Sequence, residues 1–186
     1  MSQPASNRCL SRRLFALRVA SPIALVMLGL SPRAAEAASR ERSLLLQHLH
    51  TGETLRTTYF ADGRYVPSAL AAVAHHLRDW RQDLAKPVDP QLLDLLWALR
   101  NRLETTAPIH VLCGYRSPAT NAMLRRRSRA VARNSLHMKG MAIDLRVPNR
   151  SLRSLRAAAV SLHGGGVGYY PASRFVHVDT GDVRYW

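Results

Sequence analysis

Ser135-Leu136-His137-Met138-Lys139-Gly140-Met141-Ala142-Ile143-Asp144 is the stretch on which the reading of this chain turns. It sets a histidine and a carboxylate six intervening residues apart, with a glycine between them. His177-Val178-Asp179 follows later in the chain. Together His137, Asp144 and His177 form a His/Asp/His ligand set suited to zinc (Zn2+). Three protein ligands leave the fourth tetrahedral position open to water, which zinc makes nucleophilic near neutral pH. The pattern therefore predicts a hydrolase. His137 falls in a loop, and Met141 to Val147 reads as the following strand, stopped by Pro148. Gly140 allows the tight backbone path between them. His177 and Asp179 are two residues apart on a strand and share one side of it.

Outward from this centre, residues 43–66 read as short strands and turns, with Ala61-Asp62-Gly63 as a turn signal. Pro67 opens a helix whose apolar residues Leu70, Val73, Ala74, Leu77 and Trp80 recur at spacings of three and four, with Lys86-Pro87 as its end. A second helix follows Asp89-Pro90, with Asp89 as N-cap, and runs to about Glu104. Trp80 and Trp97 read as core. Pro108 to Cys113 reads as a buried strand. A helix begins at Ser117 or Pro118 and reaches about Arg127, Ser117 serving as its cap. Ser151 to Leu162 reads as a further helix, broken by Gly164-Gly165-Gly166. Val167 to Tyr170 and Arg174 to Asp179 read as two short strands. The expected fold class is α+β, with a small antiparallel sheet flanked by helices.

The first 37 residues read as a targeting segment. Arg8, Arg12, Arg13 and Arg18 precede an apolar run from Val19 to Leu30, too short for a comfortable membrane span, and Ala35-Glu36-Ala37 is a cleavage pattern. Ser11-Arg12-Arg13-Leu14-Phe15 is similar to a twin-arginine export signal. The expected organisation is a cleaved signal over 1–37 and one domain over 38–186, in a monomer without a stable membrane span.

The formal net charge of the whole chain is +15. Such a surface suits an acidic polymer, which for an exported protein means cell-wall material. Arg125-Arg126-Arg127, Arg129 and Arg133 cluster without interleaved aromatics, so nucleic acid is not an expected partner. The cluster reads as a solvated face with the charge to hold an anionic wall polymer. Cys113 is the one cysteine after residue 37 and reads as a small buried hydrophobe, with no disulfide available to it. Tyr169 and Tyr170 are open between lining a groove and packing in the core. Of His75 and His76, at least one faces solvent.

Ser135 to Asp144 resembles the Ser-x-His-x-x-Gly-x-Ala-x-Asp signature of zinc peptidases that include D-alanyl-D-alanine carboxypeptidases and dipeptidases. That group shares a compact fold with Hedgehog-type domains. More closely, residues 44–186 resemble the MepK-type murein endopeptidases. The matching pieces are His50 to Glu53, Leu77 to Arg81, Gly114 to Asn121, Gly165 to Pro171 and Phe175 to Gly181.

The resemblance implies a periplasmic enzyme that cuts peptide cross-links between peptidoglycan stem peptides. The bond would join two diaminopimelate residues, or D-alanine to diaminopimelate. It also places Arg116 beside the metal, where a guanidinium steadies an oxyanion or clamps a carboxylate. The carboxypeptidase relatives carry an acid three residues before the last histidine ligand; here Arg174 stands there. Asp179 is then either the proton-transfer group or the residue that orients His177. His110 and His163 are outside candidates. Two alternatives stay open: a zinc D-amino-acid carboxypeptidase, and a non-catalytic wall-binding module with a closed zinc site.

Overall fold

The computed structural model describes residues 41–186, and the expected targeting segment lies outside them. The chain opens with β1 (Arg42–His48), β2 (Thr54–Ala61) and β3 (Arg64–Tyr65). Asp62 and Gly63, at φ of 51° and 75°, make the tight turn between β2 and β3. Helices α1 (Pro67–His76) and α2 (Pro90–Arg102) follow, then β4 (Ile109–Cys113) and α3 (Pro118–Arg127). A 3-10 turn (Leu136–Lys139), β5 (Ala142–Arg146), α4 (Leu152–Ser161), β6 (Gly166–Tyr170), β7 (Phe175–Asp179) and β8 (Arg184–Tyr185) complete it.

The α+β class holds, but the sheet departs from a small antiparallel one. Among the described residues eight strands form one open sheet in the order β3-β2-β1-β4-β5-β7-β6-β8. β1 pairs with β4 in parallel, as does β6 with β8. The cause is connectivity. A hairpin and two helices separate β1 from β4, a crossover long enough to return the chain in the same direction, which a tight hairpin cannot do.

Helices α1, α2 and α4 cover one face of the sheet, against β2, β1 and β6–β7 respectively. Their apolar stripes meet the alternate residues of the central strands. Leu44, Leu46, Leu92, Leu96, Ile143, Leu145, Leu155, Val176 and Val178 form the buried core. Successive residues of a strand point to opposite faces. With Ile143 and Leu145 committed to the core, Asp144 is turned to the other face, and His177 likewise between Val176 and Val178.

The predicted N-caps are in place. Asp89 accepts from the Gln91 N–H at 3.0 Å, and Ser117 from the Thr120 N–H at 3.1 Å. The first helix stops at His76, well before Lys86-Pro87. Its tail is diverted by tertiary bonds: the Leu77 carbonyl accepts from the Tyr115 N–H at 2.7 Å, and Asp79 N–H donates to Leu84. Trp80 therefore leaves the helical face and lies 36% exposed instead of in the core, its ring stacked on His50. Trp97 does pack against the core. His75 is exposed and His76 buried. No helix of the described residues is long and apolar enough to cross a membrane.

Candidate active site

The central strands put the site together by register. Asp144 on β5 lies directly opposite His177 on β7, and Cys113 on β4 lies opposite Asp144. His137 arrives from the 3-10 turn that precedes β5. Gly140 ends that turn at φ 72°, and a Cβ there would stand 2.4 Å from the Pro87 carbonyl oxygen. Both the left-handed backbone and the close approach exclude a side chain.

Hydrogen bonds decide which ring nitrogen of each histidine is free. The Gly114 carbonyl can only accept, so His137 Nδ1–H donates to it at 2.7 Å and leaves Nε2 as a lone pair. His177 Nε2–H donates to the Asp179 carboxylate at 2.9 Å, which leaves Nδ1 as a lone pair. These two nitrogens stand 3.2 Å apart. Asp144 Oδ1 is 2.9 Å from His177 Nδ1 and 3.3 Å from His137 Nε2. Three acceptor atoms thus converge on one point, an arrangement that a cation or a proton must stabilise. Bonds of about 2.0–2.1 Å to a tetrahedral zinc imply ligand–ligand edges of about 3.3 Å. The donor set fits that metal.

Cys113 is also near. Its sulphur lies within 4.8 Å of ligand atoms of His137 and Asp144, a further group able to hold a metal. The tighter triangle runs through His177, and the Cys113 Sγ accepts instead from Arg116 Nη2 at 3.5 Å. Cys113 is only half-buried at the strand end, not the bland core residue expected. Burial disfavours the charged form of His137, but the Asp144 carboxylate, with Cys113, outweighs it and pushes His137 up to about 10. Burial would raise Asp144, yet the two histidines hold it well below the usual carboxylate range.

Arg116 follows β4 in the loop before α3. Its Nη2 lies 3.7 Å from Asp144 Oδ2, and its Nη1 donates to Asn121 Oδ1 at 3.3 Å. Its backbone N–H donates to the His137 carbonyl at 3.2 Å, so the arginine and the first histidine are fixed to each other. Asp179 is wholly buried. One oxygen takes the N–H groups of Gly166 and Gly181; the other takes His177, and Arg184 reaches both. Burial opposes its charge, but His177 and the other donors keep it low. Asp179 therefore faces the side of His177 remote from Asp144.

A groove of about 650 Å³ opens over these atoms. Arg116, His137, Asp144 and His177 form its floor, and Asp144 is the only carboxylate lining it among the described residues. Tyr170, Phe175 and Trp186 make an aromatic wall. Tyr170 stacks on Phe175 at 4.6 Å and accepts from the Trp186 indole N–H at 2.8 Å. The open question over the two tyrosines divides between them: Tyr170 lines the groove, Tyr169 packs on the core. Gly168, the strand partner of His177, has no side chain, and the Trp186 ring occupies that space. Arg174 sits in the β6–β7 turn at φ 56°, exposed and outside the groove lining, although Ser173 and Phe175 are in it. His110 and His163 do not line the groove, and His163 pairs with Tyr185. Sequence reading missed Asn121, Arg184 and Trp186. The only signal for Asn121 was its place in a matching segment, and nothing marked the other two.

The family model described as "Peptidoglycan L,D-endopeptidase MepK" matches residues 36–186. The peptidoglycan L,D-endopeptidase MepK of Escherichia coli (strain K12) is 47% identical over 148 residues, covering 79% of this chain and 81% of that protein. A probable peptidoglycan L,D-endopeptidase MepK of Haemophilus influenzae is 43% identical over 148 residues, covering 79% and 80%. With the whole described domain inside the match, the chain belongs to the MepK family of peptidoglycan L,D-endopeptidases.

Proposed function

We propose that this protein is an exported, zinc-dependent endopeptidase that hydrolyses peptide cross-links of peptidoglycan in the periplasm. The observation that carries this reading is the convergence of three lone pairs, at separations of 2.9–3.3 Å, on the floor of a groove. His137 Nε2, Asp144 Oδ1 and His177 Nδ1 are the atoms that would hold the zinc. When bound there, zinc would act as a Lewis acid toward the scissile carbonyl and toward water. We assign the architecture to the fold shared by Hedgehog-type domains and DD-peptidases, supported by His137, Asp144 and His177 meeting at the central strands.

The protein's own residues divide the remaining work. Gly114 and Asp179 set the ring orientation of His137 and His177, so the ligands are arranged before the metal arrives. With its lone pairs taken and no exposure, Asp179 is a positioning residue, not a proton carrier. Arg116, beside Asp144 and fixed by Asn121, is aimed to stabilise negative charge developing on the carbonyl oxygen. The aromatic wall shields one side of the groove from water. The relatives' names specify an L,D bond. Of the two cross-links expected, the one between two diaminopimelate residues joins an L-centre to a D-centre, and we take it as the substrate bond.

Purified protein is incubated with muropeptide dimers of defined cross-link, with and without a chelator. Monomers should appear from the diaminopimelate-linked dimer only when metal is present. Identical product profiles from wild type and His137→Ala would sink the proposal.

A further inference from the structure

The polybasic segment has a place in the fold that composition alone does not reveal. Residues 105–143 contain six arginines, one lysine and no aspartate or glutamate. Five of those arginines, at 125, 126, 127, 129 and 133, are exposed. None of the five forms an ion pair among the described residues. The same segment builds a groove wall through Leu124, Ser128, Val131 and Ala132. It is also tied down: Asn121 Nδ2 donates to the Ala132 carbonyl at 3.1 Å and to the Arg133 carbonyl at 3.4 Å. The cations thus stand on a pinned lip beside the cleavage site.

A plain solvated face explains part of this. Arg125, Arg126 and Arg127 occupy the last turn of α3, where cations complement the helix dipole. Arg129 and Arg133 lie beyond the helix and gain nothing from it. Clustered like charges repel, and a surface with no function usually intersperses acids among them.

We propose that this lip docks the free carboxylates of stem peptides that flank the scissile cross-link. The inference rests on the peptidoglycan reading above and adds to it a substrate-anchoring surface outside the groove floor. Exposed cationic side chains pair weakly with carboxylates, and a polymer that presents many carboxylates is held by several such contacts at once. The neutral sugars of the glycan offer no charge for the lip to hold, so the stem carboxylates are the occupant.

The test is pelleting of the protein with purified sacculi, native and carbodiimide-amidated, across a salt series. R125Q/R126Q/R127Q/R129Q should pellet with native sacculi about tenfold more weakly than wild type at low salt, four weak exposed pairs being lost. The difference should vanish near about 1 M salt, where charges are screened within about 3 Å. The matching Arg→Lys variant should keep most of the binding. Amidated sacculi should lower wild-type binding to the level of the glutamine variant, an arm that needs no substitution and so survives any misfolding. Equal pelleting of wild type and glutamine variant overturns the proposal, as does equal wild-type pelleting of native and amidated sacculi. Tighter wild-type retention on DNA-cellulose than on sacculi would also overturn it, in favour of a generic polyanion surface. Pelleting reads binding without hydrolysis. A protein that binds through the lip but cuts nothing refutes the proposed activity alone, and one that cuts dimers but pellets like its variant refutes the lip alone.

Discussion

At the residue scale the site works by fixing tautomers and leaving single atoms free. Asp179 reaches the proposed metal position only through His177, so its loss should show in metal binding before it shows in folding. Asp179→Asn is expected to weaken zinc affinity about 10- to 100-fold, read by competition with a chromophoric chelator. Unchanged affinity would return Asp179 to a purely structural role. Arg116 makes a different prediction. Arg116→Lys keeps the charge but loses the planar fork, and kcat should fall about 100-fold or more with KM little altered. A rise in KM alone would mean that the arginine clamps a substrate carboxylate and takes no part in the transition state.

At the element scale the 3-10 turn before β5 is the sensitive joint. Its closing residue has to be left-handed and has to let the Pro87 carbonyl approach. Gly140→Ala should cost about 1–3 kcal/mol, part from the backbone and part from displacing the 86–89 segment. Urea unfolding measures the first, and lower metal occupancy at equal zinc reports the shift of His137. A substitution within about 0.5 kcal/mol of wild type would show that the turn relaxes freely. This joint was legible in the sequence because glycine is the residue that tolerates such a path. The end of the first helix was not. Apolar spacing continued through Trp80, and the pairing of the Leu77 carbonyl with Tyr115, a partner far along the chain, together with the Asp79–Leu84 bond, ended the helix early.

At the scale of the whole molecule, buried and paired titratable groups tie stability to pH. His48 is wholly buried, and that burial, with nearby His76 and His50, lowers it to about 4 from an ordinary value near 6.5. The native state therefore holds fewer protons than the unfolded chain between those values. The His48 contribution is complete above about pH 6.5 and is lost as pH falls toward 4, up to about 3 kcal/mol. Glu53, paired bidentately with Arg78, is held at about 2. It extends the loss from about pH 4.5 downward. Because Glu53 is 41% exposed, its share is held to about 1 kcal/mol. His48→Asn keeps an acceptor for the His50 and Thr51 N–H groups but cannot titrate. Its unfolding free energy should fall less steeply than that of wild type between pH 6.5 and 4.5, the remaining slope belonging to His50, His76 and His110, which burial also lowers. Parallel profiles would show that His48 is not the source.

The sequence by itself determined the α+β class, the helix caps at Asp89 and Ser117 and the family, and it singled out His137, Asp144 and His177, which the fold brings together. Each of these rests on local spacing, and local spacing survives without knowledge of the fold. Only the tertiary structure decided that β4 runs beside β1, that the sheet is mixed, and that Trp80 leaves the core. It also decided which nitrogen of each histidine is free, and that Arg184 and Trp186 belong to the site. Those features depend on pairing between residues distant in the chain. A carbonyl such as Gly114 selects a tautomer only once folding has brought it to the ring.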